Sequence, residues 1–189
     1  MARNKNVDRF SRETLLRSIA GGRSSLLLIL IFTVVNLLFI VLDVDRYFLF
    51  AASVPYYLTS LGKGMDNGFV NGAWDTNGTY TVTALIISVV ILAFYLLCWL
   101  LSKKKTGWLT AALVLFILDT VALVLFTFAL YDNPMVNLVD FLLHAWAIWE
   151  LGKGAKAGGR LKKLPAEDEM DLRDFAAIPT LDSDSQDVL

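Results

Sequence analysis

One histidine and one cysteine stand in this chain of 189 residues, and they bound its chemistry at the outset. A zinc site of His and Cys ligands takes roughly three or four such residues, so His144 and Cys98 cannot build one within a single chain. A lone Cys also forms no intrachain disulfide. G-x-S-x-G, H-E-x-x-H and the two Glu-x-x-His units of di-iron bundles do not occur in the sequence. No catalytic residue, cofactor or metal site is therefore predicted. The residues that could still do chemistry are polar ones in apolar surroundings. Asn137, Asp140 and His144 are spaced i, i+3 and i+7, which puts them on one face of a helix. From one turn away Asp140 can accept a hydrogen bond from His144, fixing its tautomer or holding it protonated. Asn36 and Asp119 complete the candidate cluster. A serine–histidine relay would have to recruit Ser88, whose position nearer the outer face makes it a poor match for His144.

The elements that must position these residues are long apolar runs. Hydrophobic residues make up 56% of the chain and charged ones 19%, against about 45–50% and about 25% in soluble domains. Four runs, 24–42, 82–101, 108–130 and 135–151, approach or reach the roughly 17–25 helical residues needed to cross a bilayer core. None alternates with period two, so they are not barrel strands, and a backbone in lipid must satisfy its own hydrogen bonds as helix. The expected fold is all-α: a polytopic four-transmembrane-helix bundle over 24–151. Asn36, Asp119 and His144 each fall near the middle of their own run. An ionised Asp there costs roughly 2.5–3.5 kcal/mol on insertion scales unless it finds a partner, a proton or a water-filled cavity.

Charge sets the orientation. With four spans, every Lys and Arg except Arg46 and Lys63 falls on the side of the termini, which makes both termini cytoplasmic. A fifth span through 47–61 would spoil that asymmetry. This stretch of the outer loop 43–81 carries Pro55 near its middle and is read as interfacial or re-entrant. The first run is read as an uncleaved helix, since Asp43, Asp45 and Arg46 follow it directly where a signal peptide would have its cleavage site. The basic segment 1–23 is either a short amphipathic helix on the inner leaflet, ending at Gly21-Gly22, or an irregular topology signal. A basic juxtamembrane segment, 152–163, precedes an acidic tail, 164–189, predicted to be disordered. Asp75-Thr76-Asn77-Gly78 resembles a fragment of a calcium loop but lacks the ordered spacing and terminal Glu, so plain turns are expected. Asn77-Gly78-Thr79 fits a glycosylation sequon. Trp99, Trp108, Trp146 and Trp149 fit an aromatic belt at the inner interface.

Thr33-Val34-Val35-Asn36-Leu37-Leu38, Tyr47-Phe48-Leu49-Phe50, Val54-Pro55-Tyr56-Tyr57, Tyr95-Leu96-Leu97-Cys98-Trp99 and Lys162-Lys163-Leu164-Pro165 also carry a resemblance. Over most of its length the chain resembles small four-span membrane proteins of Gram-positive anaerobic bacteria. The resemblance implies a bacterial plasma membrane and brings no known activity with it. The outer loop and the acidic tail lie outside it.

The functional expectation that follows is a non-enzymatic accessory or scaffold subunit acting through partners. The competing class is a small proton-coupled transporter or channel-like protein using Asp119, Asp140 and His144. A third is an intramembrane hydrolase. The partners expected are the lipid bilayer, a protein partner or a second copy of the chain, and anionic lipid at the basic segments. A net charge of −1 gives no electrostatic case for nucleic acid.

Overall fold

A computed structural model describes residues 5–44, 46–68, 78–130 and 133–164. The acidic tail beyond Leu164, the Asp75-Thr76-Asn77 turns and the sequon asparagine lie outside the described residues. Within them the chain is helical: α1 Lys5–Val41, α2 Ser53–Asp66, α3 Thr79–Leu101, α4 Gly107–Leu130 and α5 Leu138–Leu161, with a 3₁₀ turn at Pro134–Asn137 leading into α5. Among the described residues three segments are long and apolar enough to cross a membrane: Ser11–Val41, Thr79–Leu101 and Gly107–Leu130. α5 is not among them, because Asp140, His144, Glu150 and a set of basic residues dilute its apolar content.

The distribution of polarity is inverted relative to a water-soluble domain. Asn36, Asp119, Asp140 and His144 are all buried, whereas Ile86, Leu118, Leu125, Phe128, Leu142 and Trp149 are each at least 60% exposed. A buried polar residue and an exposed large apolar surface are the two informative departures from ordinary burial, and here they occur together. The core between the helices is built from Leu26, Ile29, Leu109, Ala112, Phe116, Ala147 and Leu151. In lipid, apolar burial does not by itself drive helix association; close backbone approach and interhelical hydrogen bonds do.

Close approach is visible where α1 crosses α5. The Gly21-Gly22 pair does not break the helix: α1 runs through it as one 37-residue element. A methyl carbon on Gly22 would meet the Cα of Gly154 at 3.3 Å, and one on Gly154 would meet the Leu109 side chain at 2.7 Å and the Ser18 carbonyl at 3.2 Å. The glycines therefore let two backbones touch. α2 packs along α3 in the same manner, with Gly62 so close that an added Cβ would lie 2.7 Å from the carbonyl oxygen of Tyr80.

The stretch 47–61 divides in two. Residues 46–52 are non-helical, and α2 begins at Ser53. Pro55 lies in its first turn, where the missing N–H is no loss, rather than in the middle of an apolar element. From a start midway along α4, α2 runs back to Asp66, beside the first turn of α3.

Candidate functional site

The candidate site is assembled around the non-helical segment that precedes α2. Its first half, to Leu49, is largely exposed and its second half is buried from Phe50 on; non-helical backbone among apolar helices has N–H and C=O groups that must find partners. Ala51, Ala52 and Ser53 are completely buried, and side chains from α1 and α4 supply those partners. Asn36 pairs with Phe48 in both directions: its amide nitrogen donates to the Phe48 carbonyl at 2.8 Å, and its oxygen accepts the Phe48 N–H at 2.8 Å. Thr33 accepts the N–H of Ala52 at 2.8 Å while donating to the Ile29 carbonyl of its own helix. Asp119 accepts the N–H of Ser53 at 2.7 Å and that of Val54 at 2.9 Å, one on each carboxylate oxygen.

These last two N–H groups belong to the first turn of α2, which has no intrahelical acceptor for them. A carboxylate at a helix N-terminus also meets the positive end of the helix dipole. Asp119 is thus an N-cap supplied from another helix. The segment it holds carries backbone strain: Phe50 has φ of +68°, a region that bulky residues rarely enter. The flanking clamps and ring contacts of Phe50 with Phe32 and Trp146 hold it there.

His144 connects this cap to α5. Its Nδ1 lies 2.9 Å from the Asp140 carbonyl oxygen, which can only accept, so Nδ1 carries the proton. Its Nε2 faces Ser53 Oγ at 3.2 Å and an Asp119 oxygen at 3.5 Å. Phe116 lies flat against the imidazole, with ring centroids 4.9 Å apart and an interplanar angle of 8°. Asp140 receives the Tyr47 hydroxyl at 3.0 Å on one oxygen. Its other oxygen, 3.4 Å from His144 Nδ1, is the one buried side-chain polar atom without a hydrogen bond among the described residues.

Of the five residues singled out from sequence, three therefore meet: Asp119, Asp140 and His144. Asn36 serves the same buried segment from the opposite side. Asn137 belongs to a separate network, donating to Tyr57 of α2 at 2.9 Å and to Thr127 of α4 at 2.8 Å. Ser88 is engaged with Thr59 and the Pro55 carbonyl at the α2–α3 contact, so it offers His144 no nucleophile. Sequence reasoning missed Ser53, Thr33 and Tyr47. The signal available for Ser53 was a serine two residues before a proline, a helix-start pattern.

Ser53, His144 and Asp140 have the outline of a hydrolytic relay, but the donors required of one are already engaged. Acyl transfer needs free N–H groups facing the developing oxyanion. Here the N–H groups of Ser53 and Val54 hold Asp119. The arrangement works chemically as a latch on a buried chain segment. Among the described residues no group of three or more His, Cys, Asp or Glu is placed to hold a metal ion.

Asp119 has a second environment. It forms part of the wall of a cavity of about 230 Å³ between α3 and α4, with Val54, Ile91, Phe94, Tyr95, Leu115 and Leu118. Comparison with protein-family models, curated proteins and solved structures finds no match to this chain.

Proposed function

We propose that this chain is a four-span integral protein of a bacterial plasma membrane, with both termini cytoplasmic, that acts through partners rather than by chemistry of its own. In this reading α5 is the fourth span, and the segment from Asp43 to Asp66 is a re-entrant hairpin latched inside the bundle. The observation that carries it is the double N-cap on α2: the Asp119 carboxylate is occupied by the N–H groups of Ser53 and Val54. A carboxylate buried midway along a long apolar helix then has a structural role. Support for α5 as a span comes from its outward face, where Leu138, Val139, Leu142, Trp146 and Trp149 are exposed while Asp140 and His144 point inward. Support for the orientation comes from the basic residues: with α5 as a span, Lys103, Lys104 and Lys105 of the α3–α4 turn fall on one side with the basic segments 1–23 and 152–163.

Cysteine labelling in intact cells tests the topology. A Cys at Asn67 should react with an impermeant thiol reagent, and one at Lys104 should react only after permeabilisation. Labelling of Lys104→Cys from outside would end the four-span reading.

A proton-coupled transporter is the second reading. It is favoured by the succession of Tyr47, Asp140, His144 and Asp119 at 3.0, 3.4 and 3.5 Å, which ends at the cavity wall. Proton flux in reconstituted vesicles decides between the two. The latch reading expects none above protein-free vesicles; flux abolished by His144→Gln would establish transport.

A further inference from the structure

We propose that the cavity between α3 and α4 binds the hydroxyl head of a membrane-dissolved alcohol, a long-chain or isoprenoid lipid with a free OH. This rests on the reading of the chain as a membrane protein, since the mouth of the cavity is rimmed by Phe94 and Leu118, both more than half exposed on the outer surface of the helices.

Two polar groups break an otherwise apolar wall. Tyr95 is only 2% exposed and lines the cavity; its hydroxyl makes no hydrogen bond among the described residues, and it is not one of the polar atoms closed off from the surroundings, which leaves it open for a partner. In an apolar surrounding a Tyr hydroxyl is most stable when it has one. Asp119 is the other polar group, and the α2 cap leaves lone pairs on both of its oxygens, since each accepts one backbone N–H. A donor with nothing to donate to and an acceptor with spare capacity call for a ligand that both accepts and donates. A hydroxyl does both. An ammonium would have to be stripped of water beside a carboxylate that already accepts two backbone N–H groups. A neutral OH enters an apolar crevice at much lower cost. A carboxylic acid in its ionised form would face Asp119 as a like charge.

The size of the cavity agrees. At about 230 Å³ it is smaller than the roughly 300–1,000 Å³ of sites that enclose a whole small molecule. It suits the head and first carbons of a lipid whose tail continues along Phe94 and Leu118 into the acyl region. Occupancy would also place the ligand on the carboxylate that caps α2, next to the latch.

The test uses the purified full chain in phospholipid nanodiscs and a long-chain alcohol carrying a diazirine close to its hydroxyl. Photolabel should map to the Ile91–Tyr95 and Leu115–Leu118 stretches and be displaced saturably by unlabelled alcohol, with the matching methyl ether a poor competitor. Tyr95→Phe should weaken displacement roughly three- to ten-fold, the worth of one neutral hydrogen bond. Leu118→Trp, which fills the mouth from its exposed rim without touching the latch, should abolish saturable labelling and serves if Tyr95→Phe does not fold. Competition by the ether as strong as by the alcohol overturns the proposal, as does label spread without saturation over Ile86, Leu125 and Phe128. Stronger competition by the matching primary amine overturns it in favour of a cationic ligand. Failure of the membrane reading itself would appear separately, in the cysteine-labelling topology.

Discussion

The carboxylate of Asp119 and the backbone N–H of Ser53 lie 2.7 Å apart, joining the middle of one long apolar helix to the start of a short one that begins deep among its neighbours. From this contact a loss-of-stability experiment follows. Asp119→Leu strands the N–H groups of Ser53 and Val54 in an apolar surrounding, at about 1–3 kcal/mol for each. Asp119→Asn keeps one carbonyl oxygen and should lose about half as much. Because the partners are main-chain groups, a second side-chain substitution cannot restore what is lost; adding His144→Leu should recover only the share of the imidazole. Denaturant titration in detergent measures all three. An Asp119→Leu protein as stable as the parent would mean that α2 does not depend on this cap.

Asn36 is open to a cleaner test, since it donates to and accepts from the same residue, Phe48. Asn36→Leu is close in volume and removes both bonds, with an expected loss of about 2 kcal/mol. Asn36→Asp retains the acceptor but faces the Phe48 carbonyl with a second oxygen, so it should be no better. Arg46 is already exposed, and release of the segment after it should make trypsin cut there faster. Unchanged proteolysis at Arg46 in Asn36→Leu would show that Thr33 and Asp119 hold the segment without Asn36.

How much of this was legible in the sequence depends on what kind of pattern encodes it. The spacing of Asn137, Asp140 and His144 put the last two on one face, and run position alone put Asn36, Asp119 and His144 at comparable distances along their helices. What periodicity could not show is what these residues bond to. Their partners are main-chain groups of a non-helical segment, and a segment without periodicity leaves no trace of its path. Pro55 was the local clue, but in an apolar run it reads equally as an interruption or as a first turn. Gly21-Gly22 misled in a different way. As punctuation it suggested a break, whereas its use is contact with Gly154 on a helix far away in sequence.

That contact yields a contrast within a single helix. Gly152 has open space where a Cβ would go, and Gly154 has the Leu109 side chain at 2.7 Å and the Gly22 backbone at 3.2 Å. Gly152→Ala should be neutral or stabilise by up to about 1 kcal/mol through helix propensity. Gly154→Val should cost about 1–3 kcal/mol by forcing α1 and α5 apart. Equal effects of the two substitutions would remove close backbone approach as the basis of the α1–α5 contact.

At the far end of the hairpin, Asp66 repeats the device of Asp119. Its carboxylate accepts the N–H of Tyr80 at 3.2 Å and both the N–H and hydroxyl of Thr81, at 2.7 Å and 2.5 Å, so the last residue of α2 caps the first turn of α3. The setting differs, since the Tyr80 bond is exposed and water can replace a lost acceptor there. Asp66→Ala should therefore cost only about 1 kcal/mol, the usual worth of an N-cap, well below Asp119→Leu, although both remove a carboxylate from two backbone N–H groups. Asp66→Asn should keep most of the cap, because an amide oxygen also accepts from the helix terminus. Hydrogen exchange at Tyr80 and Thr81 separates a local effect from a global one: protection there should fall in Asp66→Ala while that of α4 stays as in the parent. If Asp66→Ala destabilises the protein as much as Asp119→Leu does, depth within the bundle is not what sets the strength of these caps, and the special weight given to Asp119 is lost.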